Sequence, residues 1–231
     1  MLEELKKRVC EANISLQKSG LITLTWGNVS EIDREKGLIV IKPSGVDYDS
    51  MTPEDMVVVD LCGKVVEGEL NPSSDLPTHI EIYRAFPEVG GVTHTHSRWA
   101  TVFSQAGMDI PMLGTTHADA FLGDVPCTRR LTPDEINTEY ERATGVVIAE
   151  IMQDKNPMDI PAALVFSHGP FTWGRNAADS VKHAIILEEV AAMAYHTVSL
   201  NPNATFQKEL ADKHYSRKHG PGAYYGQGGK R

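Results

Sequence analysis

Cysteine is scarce in this 231-residue chain, and Cys10, Cys62 and Cys127 form an odd, scattered set with no Cys-x-x-Cys spacing. That argues against a disulfide scaffold and reads as free thiols of a reducing compartment. No apolar run approaches the roughly 20 residues needed to span a bilayer. Basic residues are outnumbered, 22 Lys and Arg against 31 Asp and Glu, for a formal net charge of −9. Without a basic excess, a general nucleic-acid or membrane-surface role is not expected, and an anionic ligand would need a local positive or N–H-rich pocket. The first residues, Met1-Leu-Glu-Glu-Leu-Lys-Lys-Arg8, carry charge where a signal peptide needs an apolar stretch. Also missing are a Gly-x-Gly-x-x-Gly motif, an internal repeat, a low-complexity block and a linker between residues 20 and 200. These absences predict a soluble cytoplasmic protein built as one α/β domain over residues 1–231, with 220–231 a Gly-rich tail that is mobile unless something holds it.

Hydrophobic spacing predicts the elements. Leu2, Leu5, Val9, Ala12 and Leu16 give an amphipathic helix over 2–19, ended by Gly20. Two strands, 21–32 and 38–42, are joined by a charged turn, and Pro43-Ser44-Gly45 breaks the second. A short helix opens at Thr52-Pro53-Glu54-Asp55, and 56–61 and 64–66 flank Cys62-Gly63 as a hairpin. A helix over about 77–86 precedes a strand at 91–96, after which Ser97 is placed to cap the next helix. Short strands and loops are expected over 110–130. Thr132-Pro133-Asp134-Glu135 opens a helical region with Gly145 a candidate break. The longest helix starts at Asn176 and runs to about Leu200, with Val181, Ala184, Ile185, Ala191 and Ala194 inward, and 207–219 forms a polar helix. Strands clustered early, among mixed connections, favour a mixed or mainly antiparallel sheet.

The richest stretch is Gly91-Val-Thr-His94-Thr-His96-Ser97. Side chains two apart on a strand share a face, so His94 and His96 project together, ready to grip one cation. A His-x-His pair alone is more often two ordinary strand histidines. The run Ala163-Leu-Val-Phe-Ser167 then ends at a third imidazole, His168, followed by Gly169-Pro170. Three imidazoles at strand ends suit Zn²⁺ or a similar divalent ion with one position open; imidazole and carboxylate also accept Mn²⁺ or Co²⁺.

Smaller constellations surround it. Asn71-Pro-Ser73-Ser74-Asp75 offers hydroxyls, backbone N–H groups and a carboxylate just before a helix, which suits phosphate; it equally suits simple helix capping by Ser74 or Asp75. Lys42-Pro-Ser44-Gly45 ends a strand with a cation, a hydroxyl and a Gly able to approach a ligand, and Trp26-Gly27-Asn28 adds a Gly and an amide. Asp119, in Gly114-Thr-Thr-His-Ala-Asp119, is a candidate general acid/base or a solvated loop acid. Tyr224-Tyr225 are two aromatics in a Gly-rich tail, where a phenol can serve as a proton donor.

Taken together, Thr25-Trp-Gly-Asn-Val-Ser30, Ile41-Lys-Pro-Ser-Gly-Val-Asp47, Pro72-Ser-Ser-Asp75, His94-Thr-His-Ser-Arg98, Gly114-Thr-Thr-His-Ala-Asp119, His168-Gly-Pro170, Lys213-His-Tyr-Ser-Arg-Lys-His219 and Ala223-Tyr-Tyr-Gly-Gln227 resemble the class II aldolase family of zinc-dependent sugar-phosphate enzymes over essentially the whole chain. The resemblance is closest to the branch that epimerises L-ribulose 5-phosphate at carbon 4, an isomerase activity used in pentose breakdown, arabinose included. It implies one three-layer αβα domain on a central, mainly antiparallel sheet. It also implies zinc ligands His94, His96 and His168, with Asp75 a fourth acidic position where the family's aldolases carry Glu. Phosphate would be held by Asn28, Lys42, Ser44, Gly45, Ser73 and Ser74, with Gly27 nearby. Asp119 and Tyr225 match the acid/base positions, and His214 a polar position that helps orient substrate. A homotetramer is implied, with active sites at subunit interfaces and Tyr225 coming from a neighbouring copy. The runner-up activity is a class II sugar-phosphate aldolase. The adducin head, an assembly module of the same fold, would instead predict a degraded metal site.

Overall fold

The computed structural model describes residues 2–219 and 222–224. Helix α1 (Glu3–Lys18) buries Leu5, Val9, Ala12 and Leu16, the stripe its three- and four-residue spacing predicts. The strands are β1 (Gly27–Asp33), β2 (Leu38–Ile41), β3 (Val57–Asp60), β4 (Val65–Glu67), β5 (Gly91–Thr95), β6 (Ala162–Val165) and β7 (Gly169–Gly174). They form one sheet in the order β4-β3-β2-β1-β5-β7-β6, with every pairing antiparallel.

Alternation along the strands makes the layers. Val40 and Val58 pack against Leu5 and Val9 of α1. Their neighbours Ile39, Ile41, Val57 and Val59 face the other way, into the core with Leu76 and Ile80 of α2 (Leu76–Ala85). Helix α6 (Tyr140–Ile151) lies against α2, and α7 (Ala177–Leu200) joins α1 around Val29 through Ala177, Val181 and Ala184. The sheet is therefore sandwiched, as the α/β, central antiparallel expectation requires. Among the described residues no helix is long and apolar enough to cross a membrane.

Five local expectations are corrected. The first strand starts at Gly27 rather than residue 21, because Leu24 at φ 55 and Gly27 at φ +124 leave the β region and Trp26 N–H turns back to Thr23 O. Residues 110–130 contain a helical turn, α4 (Thr115–Ala118), and only isolated bridges such as Ile110–Val125. Gly145 does not break its helix. The break falls at Glu139, between α5 (Pro133–Thr138) and α6, and Gly145 instead lets α6 approach Thr78 O and Glu81 of α2 too closely for a Cβ. Ser97 precedes α3 (Arg98–Ala106) without a side-chain cap; the Glu188 carboxylate of α7 accepts from Trp99 N (2.8 Å) and Ala100 N (3.0 Å) instead. Ile185 faces outward, and Leu187 and Val190 take the inward positions on α7.

Candidate active site

Antiparallel pairing sets Asn28 of β1 opposite His94 of β5, and His94 opposite Phe171 of β7. His94 stacks on Phe171 with ring centroids 4.2 Å apart and planes 17° from parallel. His96 follows just beyond the end of β5, its Nε2 3.1 Å from His94 Nε2. His168 sits in the β6–β7 turn, which the left-handed Ser167 (φ 57) reverses sharply, and its ring centroid lies 4.8 Å from His94 and 5.1 Å from His96. One ligand atom from each of the three lies within 4.8 Å of the others. Imidazole nitrogens at the usual 2.0–2.1 Å from tetrahedral Zn²⁺ stand roughly 3.3 Å apart, so the cluster is of the right size.

Chemistry agrees with spacing. His94 Nδ1–H donates to Pro170 O at 3.0 Å, which leaves its Nε2 lone pair facing the other rings. Burial, reinforced by the His94 and His96 rings and opposed by Asp75, pushes His168 down to about 3; burial and His94 lower His96 as well. These are neutral donors at physiological pH, as a divalent cation requires. When bound, such a cation supplies Lewis-acid stabilisation of negative charge on a substrate oxygen.

Asp75 precedes α2 but makes no capping hydrogen bond. Its Oδ2 accepts from Asn28 Nδ2 at 2.7 Å, so the capping explanation of this acid fails. Burial acts to raise the Asp75 carboxyl, but the His94, His79 and His168 rings and the Asn28 amide outweigh it and hold the group ionised.

The same cavity, of about 400 Å³, is lined by Gly27, Asn28, Lys42, Ser44, Gly45, Ser73, Ser74, Asp75, His94, His96 and His168. Thus every expected metal and phosphate residue converges, from stretches far apart in sequence. Two loops form the cradle, zipped by Ser44 N–H to Asn71 O (2.9 Å) and Ser73 N–H to Lys42 O (3.0 Å). Lys42 is 1% exposed; its ammonium donates to Val46 O (2.7 Å) and Pro43 O (3.2 Å) and lies 4.7 Å from the Tyr48 ring centre. Burial, opposed by Asp47, lowers it to about 8. Two of its three N–H groups are spent on carbonyls, which leaves one for an anion. Tyr48 in turn donates to Gly27 O at 2.6 Å, where a Cβ on Gly27 would meet Ile22 Cδ1 at 2.5 Å and His94 O at 2.9 Å.

Asp119 and His214 are brought together, but elsewhere. Asp119 lines a second cavity with Thr116, Lys182, His183, Lys218 and His219. Its carboxylate accepts from His214 Nδ1 (3.0 Å) of α8 (Lys208–Ser216) and, just beyond that helix, from Arg217 Nε (3.1 Å) and Nη2 (2.8 Å), with Lys218 Nζ at 3.0 Å. Burial opposes ionisation, yet these partners pull the carboxyl down to about 2. Tyr225 lies outside the described residues.

Sequence reasoning missed Tyr140 and Glu141, which line the imidazole cavity. Tyr140 begins α6 and its hydroxyl stands 3.3 Å from His168 Nδ1. Nothing in its local sequence separates it from any helix-start aromatic. The polar residues under the site, His79, Ser30 and Tyr83, were missed as well. All three are fully buried, which an i, i+4 spacing of polar residues on α2 could have hinted at.

Three clustered imidazoles beside an acid, with a lysine- and hydroxyl-bearing cradle next to them, make a candidate metal site on an antiparallel αβα scaffold. The chain belongs to the Class II Aldolase and Adducin N-terminal domain family, whose pattern matches residues 7–195. Class II aldolases use a divalent metal, and the histidine triad for one is intact here. The fold matches an L-fuculose 1-phosphate aldolase with TM-score 0.80 and 26% identity, over 93% of this chain and 95% of that one. It also matches the L-fuculose-1-phosphate aldolase of Thermus Thermophilus (TM-score 0.68, 26% identity, 89% and 100% covered). A third match is the L-fuculose 1-phosphate aldolase of Glaciozyma antarctica (TM-score 0.78, 22% identity, 96% and 84% covered).

Proposed function

We propose that this chain is a divalent-metal isomerase that interconverts L-ribulose 5-phosphate and D-xylulose 5-phosphate by inverting carbon 4. The observation that carries this reading is Asp75. By the family resemblance the aldolases place the longer Glu here, whereas this carboxylate is one methylene shorter and bonded to Asn28 at 2.7 Å. It is better placed to ligate or support the metal than to carry protons to a departing fragment.

Carbon 4 has no acidic proton, because the carbonyl at carbon 2 activates only its immediate neighbours. A retro-aldol route inverts it nonetheless. A base takes the carbon-4 hydroxyl proton, and the bond between carbons 3 and 4 breaks with its electron pair left on the three-carbon carbonyl fragment. The glycolaldehyde phosphate rotates, and that pair re-forms the bond on the other aldehyde face as the new carbon-4 oxygen takes a proton back. His94, His96 and His168, with Asp75, would hold the zinc. Asn28, Lys42, Ser44, Gly45, Ser73 and Ser74, beside Gly27, would keep the phosphate of the rotating fragment. Re-addition to the opposite face needs proton carriers on opposite sides, the roles we assign to Asp119 and Tyr225. Asp119 does not line the imidazole cavity of its own chain. That fits an oligomer in which groups from one copy complete the site of another; we assign the homotetramer that the resemblance implies, with His214 holding Asp119 and orienting substrate. We place this single-domain enzyme in the cytoplasm, in pentose catabolism such as that of arabinose.

The second reading is a class II aldolase, favoured by the 26% identity to two L-fuculose 1-phosphate aldolases. Incubation of purified protein with L-ribulose 5-phosphate and, separately, with L-fuculose 1-phosphate, each with and without chelator, separates them. Chelator-sensitive D-xylulose 5-phosphate supports the epimerase. Cleavage of L-fuculose 1-phosphate to dihydroxyacetone phosphate, with no pentulose epimer, overturns it.

A further inference from the structure

Asp75, just before α2, and His79 and Tyr83 on it stand four residues apart and share one face, with the His79 N–H bonded to Asp75 O at 3.1 Å as the helix demands. That face meets alternate residues of β1, whose side chains point the same way. Asn28 donates to Asp75; Ser30 Oγ lies 2.7 Å from His79 Nδ1 and 2.8 Å from the Tyr83 hydroxyl. Ser30, His79 and Tyr83 are each fully buried, and among the described residues His79 Nε2 has no hydrogen-bond partner.

The direction of this chain of hydrogen bonds is decidable. If Tyr83 O–H donates to Ser30 and Ser30 O–H donates to His79 Nδ1, every proton but one is used, and the imidazole proton sits on Nε2. In the reverse direction His79 Nδ1–H donates to Ser30 and Ser30 to Tyr83. The Tyr83 proton then has no acceptor in this chain of bonds, and the Nε2 lone pair no donor. The His79 ring is fully buried, where a second, charge-bearing proton is costly, so one ring nitrogen carries a proton and the other accepts. The first direction leaves one unmatched donor one helical turn from an ionised carboxylate, and is the favoured one.

We infer that His79 is a positioning residue for Asp75, presenting a proton on Nε2, fixed there by Tyr83 and Ser30, that orients the carboxylate directly or through one water when a cation enters the imidazole cavity. Asn28 then steadies one side of Asp75 and His79 the other, and Phe171, edge-on to His79 and stacked on His94, keeps the two rings apart. This rests on the metal-site reading of that cavity, and deepens it with an outer layer of the kind that sets ligand orientation.

The test uses the intact protein and Zn²⁺ alone. Long-range ¹H–¹⁵N spectra of histidine-labelled protein report which His79 nitrogen is protonated, whatever the protein catalyses. We expect the Nε2–H form, with the Nε2 signal moving on zinc addition. Chelator competition should show about tenfold weaker zinc binding in Ser30→Ala and His79→Phe, and near-parental binding in His79→Gln, which keeps a donor. An Nδ1–H form in the parent protein, an Nε2 signal that ignores zinc, or unchanged zinc affinity in folded Ser30→Ala and His79→Phe would each overturn the inference. If the parent binds no zinc at all, it is the metal reading that fails, a separately visible result.

Discussion

The Asn28 amide donates to Asp75 Oδ2 at 2.7 Å, tying an acid at the start of α2 to the strand residue paired with a metal-type histidine. A longer side chain cannot keep that bond in the same place and would push its carboxylate into the cavity. Asp75→Glu should therefore shift product from pentulose epimer toward free glycolaldehyde phosphate, measured by trapping the aldehyde during turnover. A folded, zinc-binding Asp75→Glu protein that yields no cleavage fragments would remove the Asp/Glu argument for an epimerase.

Lys42 reaches the cradle from a buried position, and its lowered pKa of about 8 predicts a pH dependence. The ammonium is charged below that value and loses its charge above it, so KM for a phosphorylated pentulose should rise as pH passes upward through 8, with kcat less affected. Lys42→Met should raise KM at pH 7 by roughly 10–100-fold, the worth of one charge-assisted hydrogen bond, and abolish the rise. Steady-state kinetics from about pH 7 to 9 check both.

Burial pushes His79 and His168 to about 3 and His117 to about 4. Between those values and the unfolded value of about 6.5 the unfolded chain binds more protons, so stability is complete above that range and falls as pH drops through it. The metal-free protein should lose at most roughly 1.4 kcal/mol per pH unit for each such histidine, read as a falling urea midpoint between about pH 6.5 and 4. A flat midpoint would mean that these rings are not held neutral.

Gly91 opens the strand that carries His94, and a Cβ there would lie 2.2–2.4 Å from backbone atoms of Asn176 and Ala177. Backbone cannot yield as a side chain can, so Gly91→Ala should cost about 3 kcal/mol, at the upper end of overpacking penalties. Gly114→Ala, with nothing within 4 Å of the added carbon, should be close to neutral. Chemical denaturation of both variants distinguishes crowding from a general intolerance of substitution.

Tyr224 N–H donates to Arg217 O at 3.0 Å and its ring lies 5.3 Å from Lys213 Nζ. Tyr224 is itself mostly exposed, so a protein truncated before it should stay folded and bind zinc, yet turn over far more slowly if Tyr225 carries a proton. Unchanged turnover would strike Tyr225 from the mechanism.

Local sequence determined a good deal. Period-two and period-3.6 spacing placed α1, the β3–β4 hairpin, α7 and the His-x-His strand, because burial of one face is written directly into residue order. The three imidazoles that meet in one cavity were legible as strand-end histidines, whereas the grouping of Asn28, Lys42, Ser44, Gly45, Ser73 and Ser74 around them was implied by the family resemblance rather than by spacing. Where conformation hinges on a single φ, as at Leu24 and Gly27, or on a neighbour's shape, as at Gly145, the local pattern misled.

What only the tertiary structure decided were partnerships between distant groups. Sequence allows Asp75 to be a helix cap, and antiparallel pairing of β1 with β5 gives its carboxylate to Asn28 instead. Nothing local predicts that Glu188 caps α3, that His79 leans on Ser30 and Tyr83, or that Arg217 grips Asp119. The physical reason is the same each time. Residue order fixes which groups share a face, but the energy of a buried polar group depends on the partner that packing brings to it from elsewhere in the chain.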